Sequence, residues 1–584
     1  MPRISGKCVR VGKTALLSIF FLASGSAGIL YAQNAQAASK TAKDVQLIPV
    51  TDQLVIEKCG TCHQADTKGN LSRISSIRTT PEGWEEAIKR MVRLNGLQLT
   101  PDEARKILRY LSDSHGLAPA EAAPVQYFVE RRLVDEKMPE VADVQHSCAA
   151  CHALAKPLSW RRTPDDWDLL KNMHVAFFPS IDVSFRRNAT PGARGSAAAA
   201  QGGEAPKQPV DVALDWVKKS TPLITPEWSN WSASVQAPRL AGTWAISGTV
   251  AGKGKFFGET KIEDKGSDGS YTTSTKICFT NGDAWTSTGN GIVYTGYAWR
   301  GRSKGDTKIA GIDDPAGVRE VMMLSGDQSE LSGRWFWGTY QEFGMDVTMH
   351  RETGGPIVLG TDLSSLKVGS SDNTIRIFGS RLPASIAASD VNLGPGVTVS
   401  KVVSSTPDVV TVLASVDAKA LPGRRIVSVA GTGLANAYAV YDTMDYLKVT
   451  PTTSLTHLGS TTHSKGYMQF EAVAYSNGPD GKPDTADDIE LGPVQAEWKI
   501  EEFVASYGDD DVQYVGSIDA KTGFFTPASD GPNPKRKSQR NNYGDVWAVA
   551  QYTPSGASKP LVGRSYLIVA VPQYMQWDQP EVAE

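Results

Sequence analysis

Apolar positions change their period along this chain, and the change divides it into parts. At the start, Lys7, Arg10 and Lys13 precede an apolar stretch from Ala15 to Ala32, closed by the small residues of Ala35-Gln36-Ala37. That order is the pattern of an export signal. Ser24, Gly25, Ser26 and Gly28 dilute the stretch too far for a permanent anchor. Residues 1–38 are therefore expected to be removed by cleavage near Ala37 or Ala38, leaving a periplasmic protein. The period that follows is helical. Trp84, Ala87, Ile88, Met91 and Val92 fall at i, i+3, i+4, i+7 and i+8, and Trp167, Leu170 and His174 repeat the spacing. Each face follows a Thr-Pro pair, Thr80-Pro81 or Thr163-Pro164, with Thr suited to the N-cap and Pro to the first helical position. Acidic residues in both first turns suit the helix dipole. Another helix is expected over 211–219, packing back on these through Val212, Leu214, Trp216 and Val217.

From about Leu240 the texture becomes that of strands. Segments 243–250, 255–262, 271–279, 291–299 and 330–340 are rich in β-branched and aromatic residues and are separated by Gly, Asp and Ser. Their spacing predicts a barrel-like antiparallel domain over 237–353. Trp244, Trp285, Trp335 and Trp337 would line a ligand pocket there or, more simply, fill the core. Shorter strands at 374–378, 397–403, 409–416 and 425–430, then at 468–475, 495–500 and 566–571, predict two immunoglobulin-like sandwiches, over 354–450 and 451–584. Between helices and strands, residues 188–209 are rich in Ala, Gly, Pro and Ser and read as a flexible insertion in a helical domain spanning 39–236.

Composition changes this picture little. A chain of 584 residues has material for several cores, and a formal net charge of −3 gives no reason to expect nucleic acid. No stretch beyond the leader is long enough to span a membrane. One acidic loop, 477–488, carries carboxylates and glycines that suit Ca²⁺, but its spacing is not that of an EF-hand and ordinary turn chemistry explains it equally.

The cysteines change it a great deal. There are six. Cys8 leaves with the signal, and four others form Cys59-Gly60-Thr61-Cys62-His63 and Cys148-Ala149-Ala150-Cys151-His152. C-x-x-C-H is the haem c attachment pattern: two thiols add to the porphyrin vinyl groups and the adjoining His reaches the iron. A disulfide or a thioredoxin-like pair would leave the His after each pair unexplained, and a four-Cys zinc site would leave both His idle and require distant pairs to converge. Two covalent haems c are expected, attached through Cys59, Cys62, Cys148 and Cys151, with His63 and His152 as proximal ligands. Cys278 then has no partner and is expected as a buried free thiol.

The repeat supplies the other axial ligands. Met91 and His174 stand two turns beyond equivalent tryptophans, and both residue types ligate haem iron. The pairs are therefore His63/Met91 and His152/His174, with Met173 the neighbour that would serve after a small helical rotation. His115, His146 and Met138 are weaker candidates, His115 being expected at a solvated helix end. With both axial positions filled on each iron, this part conducts electrons and holds no catalytic residue.

The order of these parts resembles the large, dihaem subunit of quinohemoprotein amine dehydrogenase. Supporting segments are Tyr110-Leu111-Ser112-Asp113-Ser114-His115-Gly116-Leu117-Ala118-Pro119, Met173-His174-Val175-Ala176-Phe177-Phe178-Pro179 and Gly252-Lys253-Gly254-Lys255-Phe256-Phe257-Gly258. The resemblance implies a heterotrimer with a β-propeller subunit and a small subunit carrying cysteine tryptophylquinone. Primary amines would be oxidised to aldehydes at that quinone, on another chain. Electrons would leave through the haems to a soluble periplasmic acceptor, a cupredoxin or cytochrome c. Family haem positions map onto Cys59, Cys62, His63, Cys148, Cys151 and His152; the distal assignments rest on the internal repeat. Two other classes fit the residues: a dihaem subunit of a different periplasmic dehydrogenase, and a cytochrome fused to β binding modules.

Overall fold

The computed structural model describes residues 46–126, 141–149, 152–186, 207–266, 269–307, 309, 317–338, 342–505 and 508–572. The leader, most of the 188–209 insertion, Met138 and Cys151 lie outside these. The architecture is multidomain, helical first and all-β afterwards. Among the described residues no helix is long and apolar enough to cross a membrane.

Both Thr-Pro pairs open helices. Thr80 caps Pro81–Asn95 by accepting from Gly83 N, and Thr163 caps Pro164–Phe177 by accepting from Asp166 N. Just before them run two short strands, β1 (Ile77–Thr79) and β2 (Trp160–Arg162), paired antiparallel as Ile77↔Arg162, Arg78↔Arg161 and Thr79↔Trp160. Aligning the two Thr-Pro pairs makes Arg78 the counterpart of Arg161, and these two face each other in the ribbon. The internal repeat is thus a local two-fold whose axis passes through the Arg78/Arg161 pair. Loop-to-helix ion pairs cross the axis in both directions: Arg73–Asp166 at 2.9 Å and Lys156–Glu86 at 2.8 Å.

One carboxylate serves both arginines on the axis. Glu121 receives Arg78 Nη1 and Nη2 at 2.8 and 3.0 Å, Arg161 Nε at 3.1 Å and the Thr225 hydroxyl at 2.8 Å. Arg78 is fully buried and Glu121 nearly so. Arg78 also donates to the carbonyls of Leu223 and Gly116 and stacks on Trp228, 4.7 Å away. The expected helix near 211–219 runs Pro209–Ser220, with Ala213 packed against Val144 and Leu154.

Strands β3 (Gly242–Val250), β4 (Gly254–Asp264), β5 (Ser270–Phe279), β6 (Ala284–Tyr294), β7 (Ala298–Gly305), β8 (Val318–Leu324), β9 (Glu330–Trp337) and β10 (Phe343–Arg351) close an up-and-down barrel. Trp244, Trp285, Trp299 and Trp335 are fully buried in it, so the tryptophans fill the core. Facing glycines make room: a Cβ at Gly291 would meet Trp299 at 2.1 Å, and one at Gly305 would meet Trp285 at 2.2 Å. The run 291–299, expected as one strand, is two. Thr295 (φ 57°) and Gly296 (φ 74°) turn the chain between β6 and β7, a turn hidden in the sequence by the flanking aromatics. Cys278, expected free, is disulfide-bonded. Cys59, Cys62 and Cys148 are free thiols, so none of them is its partner, which lies outside the described residues.

A single apolar core runs from the helices into the barrel. Polar contacts pin the same junction. Glu82, in the first turn of the Met91 helix, pairs with buried Arg300 of β7 and with Arg319 of β8. Tyr297 donates to the Leu117 carbonyl, and Thr295 N donates to Asp113. Beyond the barrel, a four-stranded sheet (Ile357–Thr361, Asn373–Ser380, Val409–Val416, Val397–Ser405) shares one core with a second of Ser365–Lys367, Thr432–Tyr441, Gly423–Val429 and Val391–Asn392. The last part packs a three-, a four- and a three-stranded sheet.

Glu121→Gln should destabilise the helical part by about 3–5 kcal/mol, because two buried cations lose their counter-charge. Burial alone would push the Glu121 carboxyl up, but Arg78 and then Arg161 outweigh it and hold it at about 2, against an ordinary 4.5. The stability it contributes is therefore full above pH 4.5 and lost as pH falls through about 2. Urea unfolding followed by helical circular dichroism should show the gap between wild type and variant closing over that range. A gap that stays constant from neutral pH to below 2 would contradict the assignment.

Candidate haem-binding site

Cys59 ends the helix Gln53–Cys59, whose N-cap Asp52 accepts from Val55 N. The backbone then coils tightly, with Cys62 N and His63 N both donating to the Cys59 carbonyl at 3.2 and 2.9 Å. Cys62 is exposed, Cys59 and His63 half-buried. His63 Nδ1 donates to the Ser72 carbonyl at 2.7 Å. Arg73, next in the chain, holds a left-handed φ of 66°, strain that a non-glycine residue carries here at the turn presenting that carbonyl.

The second motif repeats the logic. Cys148 ends the helix Ala142–Cys148. His152 Nδ1 donates to the Ala153 carbonyl at 2.9 Å, and His174 Nδ1 to the Leu170 carbonyl, one turn back, also at 2.9 Å. In all three histidines a carbonyl takes the Nδ1 proton, which fixes the tautomer and leaves Nε2 as a lone-pair donor, as metal-ligating imidazoles require. Burial lowers the pKa of His152 and of His174, favouring the neutral form that binds metal. His152 and His174 lie close enough for the charge of one to depress the other.

Burial also pushes the Cys59 and Cys148 thiols up to about 11. Such thiols are protonated at neutral pH, the reverse of the low-pKa cysteine of a dithiol redox catalyst. Among the described residues no cluster of three or more His, Cys, Asp or Glu could hold a metal ion, the acidic loop included. Its carboxylates are engaged by the loop itself: Asp488 accepts from Tyr446, Gly478 N and Thr485 N, and Asp487 from Asp480 N and Thr485.

Met91 and His174 occupy equivalent points on helices related by the ribbon. Met91 is half-buried, with Asn95 Nδ2 3.6 Å from its sulfur. Arg90, beside Met91, reaches the Met173 sulfur at 3.6 Å, so the residues flanking the two distal candidates meet across the axis. His115, placed by sequence at a solvated end, is fully buried where the helix Pro101–Ser114 meets the barrel turn. A Cβ at the next residue, Gly116, would meet Thr295 at 2.4 Å. Its Nε2 donates to the Ile48 carbonyl at 3.3 Å, its Nδ1 has no partner, and its carbonyl accepts Trp84 Nε1 at 3.0 Å. The His146 side chain lies outside the described residues. Sequence reading passed over the cations at this site, Arg90, Lys156 and Arg162, although Arg161-Arg162 stands at the repeat position of Arg78-Thr79.

Four family models match the chain in succession. They are the haem-binding model of the quinohemoprotein amine dehydrogenase alpha subunit over residues 50–189, and that subunit's domain II over 237–352, domain III over 358–442 and domain IV over 447–582. No curated protein matches. Among solved structures, a de novo designed fluorescence-activating β-barrel is 13% identical, over 19% of this chain and 94% of its own, at a TM-score of 0.15. A teleost fish polymeric immunoglobulin receptor ectodomain is 13% identical over 38% and 100%, at 0.17, and Drosophila N-cadherin 9% identical over 56% and 92%, at 0.14. At such scores these likenesses carry no argument.

Acid should loosen this core before the Glu121 node yields. Burial, with a smaller push from Arg78, holds His115 at about 4 against an ordinary 6.5. Stability is unaffected above pH 6.5 and falls by roughly 3 kcal/mol as pH drops from 6.5 to 4, because only the unfolded chain takes up the proton. His115→Asn should flatten the unfolding free energy across that window. An unchanged slope would show that His115 is not the group responsible.

Proposed function

This chain belongs to the quinohemoprotein amine dehydrogenase alpha-subunit family, and from that premise we propose that it is the electron-transfer subunit of a periplasmic amine dehydrogenase complex. In this reading Cys59, Cys62, Cys148 and Cys151 hold two haems c, His63 and Met91 ligate one iron, and His152 and His174 the other. The observation that carries it is the two-fold placement of Met91 and His174, combined with imidazoles whose Nδ1 protons are already committed. Covalently held haem supplies a reversible one-electron iron couple.

What the chain's own residues contribute is position and bias. The Ser72, Ala153 and Leu170 carbonyls orient His63, His152 and His174 with Nε2 free. Met91 offers a thioether where His174 offers an imidazole, a difference that raises the potential on the Met91 side. Arg73–Asp166 and Lys156–Glu86 link each proximal loop to the opposite distal helix. Amine oxidation belongs to a cysteine tryptophylquinone on a small partner subunit that sits with a β-propeller subunit. Electrons pass from it through this chain to a soluble cupredoxin or cytochrome c. No residue of this chain is assigned to the amine chemistry. The leader over 1–38 is read as cleaved on export, the span 39–236 as the cytochrome domain, and the last two units, 354–450 and 451–584, as immunoglobulin-like sandwiches.

The mature chain should carry two haems by mass. Met91→Ala and His174→Ala should each convert one haem from low to high spin and leave the other unchanged. If neither variant alters its optical spectrum, the repeat-based ligand assignment fails. The native complex should reduce a dye acceptor with n-alkylamines, and the isolated chain should not. Turnover by the isolated chain would place the amine site here after all.

A further inference from the structure

Arg162 is the last residue of β2, 6% exposed and flanked by two indoles, its guanidinium carbon 4.2 Å from the Trp160 ring and 5.5 Å from the Trp167 ring. Its Nε is buried with no hydrogen-bond partner, and its side chain makes no ion pair among the described residues. The neighbouring acid, Asp166, offsets part of this charge at a distance but bonds elsewhere, to Arg73 and the Thr163 hydroxyl. A guanidinium left this way costs several kcal/mol, so the position calls for an anion. Burial accordingly pulls its pKa down to about 9.

A second orphan lies beside it. Trp167 Nε1 is buried and also unpartnered. The other half of the repeat has no such deficit. There Thr79, the counterpart of Arg162, donates to the Ser159 carbonyl at 3.0 Å, and Trp84, the counterpart of Trp167, donates to the His115 carbonyl at 3.0 Å. The two unmet donors therefore occur on one side of the two-fold only, the side of His152 and His174. Arg162 is also close enough to His174 to depress it electrostatically, together with Arg90 and Lys156.

We propose that Arg162 and Trp167 Nε1 bind a carboxylate of the porphyrin attached at Cys148 and Cys151, a propionate of the second haem, and that Arg162 thereby biases that haem towards its reduced form. This rests on the two-haem reading above. The full mature chain, carrying Arg162→Met, Arg162→Lys or Trp167→Phe, tests it by mass, spectroelectrochemical titration and the propionate bending band in the resonance Raman spectrum. With two haems retained, Arg162→Met should shift the ferric/ferrous equilibrium of the His/His haem about tenfold towards ferric, equivalent to ~59 mV for one electron. Arg162→Lys should restore part of it, the other haem should not move, and Trp167→Phe should shift the propionate band alone. Trp167→Phe removes little but an N–H, so its band decides the matter even where Arg162→Met fails to fold. One haem per chain would overturn the two-haem reading and this inference with it. Two haems with wild-type potentials and an unmoved band would overturn this inference alone.

Discussion

Everything in the helical half depends on a buried ion cluster at the centre of a two-stranded ribbon. Arg78 and Arg161 face each other on the local two-fold axis, and two like charges at that distance in an apolar core would drive the strands apart. Glu121 makes the arrangement tolerable by bonding both. Its position also selects the register. A slip of one residue would send alternate side chains to the opposite face and break the pairing of equivalent positions. With the register held, the two Thr-Pro pairs leave opposite ends of the ribbon. Met91 and His174 are then carried to related places by helices of similar length.

The two-fold is broken where the helices meet the barrel. Glu82 of the Met91 helix is buried against Arg300 and Arg319, whereas its counterpart Asp165 is exposed. The Met91 helix is thus anchored by its first turn to a rigid wall. The other is met at its first turn by the loop residue Arg73, through Asp166, and farther along by surface pairs, Lys171–Asp211 and Lys218–Asp168, to the helix Pro209–Ser220. Exposed pairs of this kind contribute little, so the His174 helix relies more on packing and on whatever satisfies Arg162 and Trp167. Exposed apolar side chains also lie on or just after it: Leu169, Phe177, Phe178 and Val183.

Local signals carried much of this in the sequence, and long-range ones did not. Thr80-Pro81 and Thr163-Pro164 marked the helix starts because capping is settled within a few residues. The repeat in Trp84/Met91 and Trp167/His174 was legible for the same reason. His115 was misplaced because its burial comes from a barrel turn far along the chain, at Thr295. The turn itself escaped notice because Tyr294, Tyr297 and Trp299 crowd round it with the strand-like texture of their neighbours, and only the left-handed pair Thr295-Gly296 divides them. Cys278 was misjudged because a disulfide is set by which residues folding brings together, and no local pattern in the sequence announces it. Glu121 gave no warning at all. Nothing in Ala118-Pro119-Ala120-Glu121 distinguishes a buried counter-ion from a solvated acid closing an N-terminal turn.

The barrel's contents decide what it can be for. An eight-stranded barrel is wide enough to enclose a small ligand or to be filled by side chains, and here Trp244, Trp285, Trp299 and Trp335 fill it over glycine floors. Glu320, an acid within, accepts from Trp299 Nε1 at 2.8 Å, and burial pushes its carboxyl up to about 7, so near neutral pH it is divided between its charged and neutral forms. A closed, close-packed cylinder of this kind deforms little. Its outer wall presents Arg300 and Arg319 to the Met91 helix, and its turn presents Thr295 and Tyr297 to the segment 113–117. Stiffness next to a redox centre is useful in itself, since groups that do not move when charge changes need no energy to reorganise. The barrel is therefore best understood as the fixed body against which the helical half is held.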